Sequence, residues 1–418
     1  MAQHRSTGVA PSSQNSPAAP SAKFARRAIY FIGIGGCGMS GLAKMLHQRG
    51  AICSGSDYVP SALIDDLEHR GVRVSLDQFA GNLPDQCDMV IASAAIKPDH
   101  PELLAAQNRG IPVISYAEAL GLAQTERTGV SIAGTHGKST TTAMLAHVLI
   151  HTKLDPSFIV GATCPQIGGG SRTGSPAIPL GKLKGKPGIL IAEACEFNRS
   201  FHHHNPTIAL INNIEEDHLD IYGTLDAVIQ AFAEFAQLLP SSAEGGRLLI
   251  AHEGAHRLQV TTGLTCKVET FGFHPEADYH VIYDPVVQRV GILQDGIWLA
   301  QWTNRMPGAH NALNSAAAGI LANFLGADWA DIADALASFA GLDRRMQRLG
   351  TKRVHDGEVT VYDDYGHHPT EIEKTLKALR AAECPKRLIC VFQPHQHSRT
   401  RFLLEQFAQS FSVCDEVI

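Results

Sequence analysis

The sequence predicts an α/β protein of three domains, and three observations carry that expectation. Its 418 residues exceed what one ordinary hydrophobic core organises. Short apolar runs alternate with stretches of helical periodicity, the pattern of strands crossing to helices and back. Two glycine-rich loops each lie between an apolar run and a helical stretch, far enough apart to need separate domains, and a further set of strand-like runs follows near residue 341.

In order along the chain, residues 1–23 are rich in Ser, Pro and Ala and lack a signal-peptide core, so they read as a disordered tail. Residues 24–122 form the first domain, with strands near 28–32, 51–55, 89–92 and 111–114 and helices near 61–70 and 101–109. Residues 123–341 form the second, with a strand at 129–133, a helix at 139–150, buried strands at 189–192 and 207–211, and a Gly/Pro/Lys-rich loop at 168–188. The third occupies 342–418, with strands at 359–363 and 387–392. The run 415–418 reads as the entry to another buried strand, so this domain is expected to be incomplete.

Composition narrows the function. A 44% hydrophobic and 18% charged chain is that of a globular protein, and a net charge of -6 offers nucleic acid no general attraction. No apolar run approaches the roughly 18 residues of a membrane span. Nine cysteines stand singly with no paired spacing, which suggests reduced, mostly buried thiols in a cytoplasmic protein. A monomer or weak homodimer with small-molecule substrates, without nucleic-acid or membrane partners, is the expectation.

The chemistry centres on Gly134, Thr135, His136, Gly137, Lys138, Ser139 and Thr140. Glycines let backbone N–H groups turn toward phosphate oxygens, the helix start adds partial positive charge, Lys138 neutralises outer phosphates, and the Ser139 hydroxyl can ligate Mg²⁺. The longer form of this motif carries glycine where Ile132 stands. The first loop, Gly33, Gly35, Gly36 and Gly38, matches a dinucleotide fingerprint, and Asp57 lies where a ribose-binding carboxylate would. Three readings stay open for it: a nicotinamide site serving a dehydrogenase, another nucleotide-diphosphate site, or a purely structural turn. Acidic clusters at Glu193–Glu196 and Glu215–Asp220, with His218 among them, end apolar runs where Mg²⁺ ligands near bound phosphates belong, the alternative being solvated turns. His310, Asn311 and Asn314 open a helix and can read an adenine edge or cap the helix. Arg344, Arg345, Asp364, His367, His368, Arg399 and Arg401 gather at strand ends of the third domain, where arginines can clamp phosphate or carboxylate. The run His202–His204 reads as a loop rather than a metal site.

Five motifs in order resemble the Mur ligase family of peptidoglycan synthesis: Phe31–Gly41, Gly134–Thr140, Asn213–Asp220, His310 with Asn311 and Asn314, and Asp364–Glu371. The similarity runs from about residue 28 to 418 and is strongest to the member that adds the first amino acid. It implies a Rossmann-like N-terminal domain, a central P-loop ATPase domain and a Rossmann-like C-terminal domain that closes over the nucleotide. It further implies ATP and Mg²⁺ as cofactors and a UDP sugar, UDP-N-acetylmuramate, joined to L-alanine through an acyl phosphate. Under this resemblance Gly33, Gly35, Gly36, Gly38, Met39, Ser40 and Asp57 hold the UDP sugar. Gly134–Thr140, His310, Asn311, Asn314, Arg345 and Asp364 hold ATP, while Ser139, Glu193 and His218 hold metal. Lys138, His218, Glu193, His368 and Arg399 serve catalysis. The stretch Glu193–Asn198 departs from the family's Glu-Ala-Asp-Glu-Ser-Asp, and Ser139 replaces a commoner Thr while keeping the hydroxyl. A family member that ligates a recycled tripeptide shares these motifs, and a nucleotide-binding relic without turnover is a further alternative.

Overall fold

The computed structural model describes residues 23–354 and 357–418, so the tail expected at 1–23 lies, but for its last residue, outside the described residues. The first sheet is wholly parallel: β1 (Ala28–Ile32), β2 (Ile52–Ser56), β3 (Arg73–Ser75), β4 (Met89–Ala92) and β5 (Val113–Ser115) stand in the order β3-β2-β1-β4-β5. Strand order reverses between β1 and β4, which opens a crevice at the carboxyl ends. The loop after β1 lies at that crevice. Tyr30 and Phe31 are almost fully buried, as strands covered on both faces require.

The second sheet has ten strands: β6 (Thr128–Ala133), β7 (Ser157–Ile159), β8 (Ser171–Arg172), β9 (Ile189–Glu193), β10 (Ile208–Ile211), β11 (Arg247–Ala251), β12 (Lys267–Gly272), β13 (Tyr279–Asp284), β14 (Arg289–Gln294) and β15 (Ile297–Thr303). Their order is β15-β14-β13-β12-β11-β10-β6-β9-β7-β8. β6 lies between β9 and β10 and pairs parallel with both. Three carboxyl-terminal loops therefore open side by side, which is what the site below uses. Helices Lys138–His151 and Ala309–Phe324 pack on one face in the largest core cluster. The antiparallel strands β13–β15 extend the sheet beyond anything the sequence reading anticipated, and the loop expected at 168–188 contains β8 and a bridge between Ala177 and Pro187.

Beyond residue 341 come an antiparallel pair, β16 (Gln347–Val354) and β17 (Gly357–Asp363), the helix Pro369–Glu383, and a parallel pair, β18 (Ile389–Cys390) and β19 (Glu416–Val417). β18 is shorter than the strand expected at 387–392. β19 forms where expected but is not buried: Val417 is 47% and Ile418 67% exposed, since among the described residues no element covers them. The cysteines are all free, yet only Cys53, Cys164 and Cys266 are buried, against the expectation of mostly buried thiols. Cys37 opens the helix Cys37–Gln48 at its exposed first residue, Cys195 lies on the loop after β9, and Cys384 caps the end of a helix at φ 44°, all at exposed positions. No helix among the described residues is long and apolar enough to cross a membrane.

The helix Tyr116–Gln124 packs tightly against the 3-10 turn Phe197–His203. A Cβ on Gly121, in the helix Tyr116–Gln124, would lie 1.7 Å from the His203 carbonyl oxygen. Gly121→Ala is therefore expected to destabilise the protein by about 1–3 kcal/mol through overpacking, read as a lower midpoint of chemical denaturation. An unchanged midpoint would contradict this packing.

Candidate functional site

Gly134 at φ 135° and Gly137 at φ 82° let the chain turn from β6 into the helix at Lys138. A Cβ on Gly137 would approach Asn314 Oδ1 to 2.5 Å and Asn212 Nδ2 to 3.0 Å, so side-chain amides fix the loop's width. Asn212 Nδ2 donates to Thr141 Oγ1 at 3.1 Å, and Thr141 Oγ1 donates to Asn314 Oδ1 at 3.3 Å. Asn314 in turn donates to Asn311, whose amide donates to the Pro307 carbonyl. Of the two roles open to Asn311 and Asn314, capping does not apply, because Gly308 caps this helix and both amides are buried within it.

The Lys138 ammonium donates to the Gly134 carbonyl at 2.5 Å, the Thr135 carbonyl at 3.1 Å, and Glu196 Oε2 at 2.8 Å. Burial alone would lower its pKa, but Glu196, Cys195 and Glu193 together outweigh burial and raise it. Ser139 Oγ donates to Glu193 Oε2 at 3.0 Å, and Glu193 Oε1 accepts from the Gly161 N–H at 2.5 Å. Glu196, Asp217 and His218 offer ligand atoms within 4.8 Å of one another. The expected metal residues thus fall into two neighbouring groups: Ser139 with Glu193, and His218 with Glu196 and Asp217. These oxygen-rich donors suit a hard divalent cation that bridges phosphates.

The third domain closes this site by gripping one acidic turn at three successive residues. Thr370 Oγ1 donates to Glu215 Oε2 at 2.6 Å. His368 accepts the Thr370 N–H at Nδ1, so its Nε2 carries the proton and donates to the Glu216 carbonyl at 3.0 Å. Arg399 forms a two-pronged pair with Asp217 at 3.0 and 3.2 Å, both side chains about 6% exposed. His368 and Arg399, expected beside substrates, are engaged between domains here.

His136 joins the same contact. Its Nε2 faces Glu215 at 3.3 Å and its Nδ1 faces Glu371 at 3.2 Å. Burial would lower the imidazole's pKa, but the two carboxylates outweigh burial and raise it to about 9. Glu215 is held down at about 2, and Glu371 well below the usual carboxylate range. Lys374 and Arg345 back the two carboxylates at 3.8 and 3.9 Å. His368 stays neutral beside this cation because burial and then the His136 charge lower its pKa; burial and Lys374 bring His310 to about 4. Asp364 accepts the Met346 and Gly366 N–H groups, yet burial raises its pKa. Arg345 lies over the Tyr365 ring, 5.2 Å from its centre.

A cleft of about 350 Å³ runs between these groups, bordered by Lys138, Ser139 and Glu193 on one side and Arg345, Tyr365 and Glu371 on the other. In the first domain, Asp57 accepts the Gly35 N–H at 2.8 Å, and a Cβ on Gly38 would strike the Tyr116 ring. Gly36 is open to solvent and Gly33 turns at φ 80°, whereas Met39 packs in the core and the Ser40 hydroxyl donates to the Cys37 carbonyl. Glu196, Glu215, Asp217, Thr370 and Glu371 lie within motifs the sequence marks, yet no individual role for them is readable there. The spacing of Glu371 three residues after His368, at a helix start, was the available signal. In the described residues His204 bonds Ser131 inside the core rather than joining a metal site.

Comparisons with known proteins agree with this geometry. The model of the Mur ligase family, catalytic domain, matches residues 28–127; the Mur ligase middle domain matches 132–322; and the Mur ligase, glutamate ligase domain matches 344–418. The chain is 40% identical to a UDP-N-acetylmuramate–L-alanine ligase of Desulforamulus reducens over 93% of this chain and 81% of that protein. It is also 40% identical to the enzyme of that name from Paenarthrobacter aurescens, with 93% and 82% covered. The solved UDP-N-acetylmuramate–alanine ligase of Thermotoga maritima superposes with a TM-score of 0.74 at 26% identity, covering 93% of this chain and 84% of that one. A murein peptide ligase from Psychrobacter arcticus shares the fold at 24% identity, with a TM-score of 0.75 over 94% of this chain and 84% of that one.

The His136 contact has a definite pH signature. Its pKa is raised from 6.5 to about 9, so its stabilisation is fully present below pH 6.5 and is lost as pH rises through about 9. The stability difference between the wild type and His136→Gln, measured by denaturation across that window, should shrink as pH rises. A constant or growing difference would contradict the two-carboxylate environment.

Proposed function

The chain belongs to the Mur ligase family, and we propose that it joins L-alanine to the lactyl carboxylate of UDP-N-acetylmuramate, consuming ATP, in peptidoglycan precursor synthesis. The observation that carries this reading is the phosphate loop at the middle of the second sheet, with carboxylates on both neighbouring loops and a third domain over it, in a chain 40% identical to alanine ligases.

A carboxylate and an amine do not condense in water until a carboxylate oxygen becomes a leaving group. In the proposed sequence the lactyl carboxylate attacks the γ-phosphorus of ATP, ADP departs, and an acyl phosphate forms. The alanine amine then attacks the acyl carbon, the C–N bond forms, and phosphate leaves with the oxygen. Lys138 and the N–H groups of Gly134–Thr140 stabilise negative charge on the transferring phosphoryl group. Ser139, Glu193 and His218 would hold Mg²⁺, which when bound offsets the charge of the phosphates. His310 meets the adenosine, and Asn311 and Asn314 shape the loop beneath it. Arg345 and Asp364 approach the nucleotide from the third domain, and His368 and Arg399 hold that domain close enough to exclude water from the acyl phosphate. Gly33, Gly35, Gly36 and Gly38 receive the UDP diphosphate, with Asp57 bracing their loop and Met39 and Ser40 anchoring it. ATP and a nucleotide-activated sugar as substrates place the work in the cytoplasm, and we keep a monomer or weak homodimer as its state.

Lys138→Ala should lower alanine-dependent phosphate release with UDP-N-acetylmuramate by roughly 10²–10³-fold or more. Turnover near the parent rate would overturn the assignment. The same assay with L-alanine, glycine, L-serine and a murein tripeptide separates the amino-acid ligase from the tripeptide-adding reading. Preference for the tripeptide would replace the former with the latter.

A further inference from the structure

The Lys138 ammonium has no donor left for a ligand. Its three N–H groups are taken by the Gly134 and Thr135 carbonyls and by Glu196, whose two oxygens lie 2.8 and 3.1 Å away. Glu196 is only 2% exposed, so this carboxylate is not a solvated counter-ion that water could replace at no cost. Its position is fixed from behind: the Tyr222 hydroxyl donates to the Glu196 carbonyl at 2.5 Å, and the next turn holds Asn198 and Arg199 at φ 50° and 54°. The ammonium is thereby drawn back onto the carbonyls of the loop whose N–H groups form the phosphate cradle.

We propose that Glu196 is a positioning residue that parks Lys138 on the loop carbonyls, and that the phosphates of an incoming nucleotide must take Lys138 from it. This rests on the ATP-using reading above. Phosphates that engage Lys138 must displace this carboxylate, so the pair competes with them and weakens nucleotide affinity. The released Glu196 carboxylate does not become a solitary buried charge, because the Asp217 and His218 ligand atoms lie within 4.8 Å of it and together can share a cation. A residue that merely orients Lys138 toward phosphate would act in the opposite direction, strengthening binding while it remains in place.

The two roles are separated by equilibrium binding of ATP, ADP and adenosine to the whole protein, without divalent cation and without turnover. Glu196→Gln keeps shape and removes charge; it should tighten ATP and ADP by about tenfold and leave adenosine unchanged. Glu196→Asp, which keeps the charge but withdraws it by one methylene, should tighten both by a smaller factor in the same direction. It serves as the second arm if the glutamine variant does not fold. Unchanged or weaker ATP and ADP binding in a folded variant overturns the parking role. Equal tightening of adenosine overturns it too, since that effect would not pass through the phosphates. Failure of the wild type to bind ATP at all would instead remove the functional reading on which the proposal stands.

Discussion

Everything above the phosphate loop depends on one cation held between two carboxylates. His136 belongs to the loop itself, Glu215 to the turn after β10, and Glu371 to the helix of the last domain, so a single imidazole joins three parts of the chain. Charges in such a place would be costly if unpaired. They are affordable because each carboxylate has a second partner: Thr370 and Lys374 for Glu215, Arg345 and the His367 N–H for Glu371. The domain contact is thus polar at its centre, as suits a surface that must separate and rejoin, rather than apolar like the sheets beneath it.

The sheet supplies what this contact needs. Because β6 runs parallel to both β9 and β10, the loops bearing Lys138, Glu196 and Asp217 emerge from one edge at neighbouring positions. Side chains separated by 58 and 182 residues in sequence meet there. Parallel pairing brings the acids of two different strands to one phosphate loop without any long-range signal in the sequence beyond strand polarity.

How much of this was legible beforehand follows from that geometry. The three-domain α/β class, the two glycine loops and the strands at 28–32, 129–133 and 189–192 were readable because each is a local apolar run next to a turn whose glycines have a steric purpose. The antiparallel strands β13–β15 were not, since their faces are partly exposed and their periodicity is weak. Within the site, Lys138 and Ser139 were readable from one contiguous motif. The partners Glu196 and Glu371 were not, because their roles arise only when distant segments meet. Sequence placed His368 and Arg399 beside substrates; the fold engages them first with Glu216 and Asp217. The motif marks which residues matter, while only three-dimensional contact tells what they hold.

The grip of the last domain on Glu215, Glu216 and Asp217 has a consequence for enclosure. Three contacts fall on adjacent residues of one short turn, one to its backbone and two to its carboxylates. Any separation of this domain must give up all three contacts along one short turn. A cleft held shut at three adjacent points favours keeping a water-sensitive intermediate enclosed.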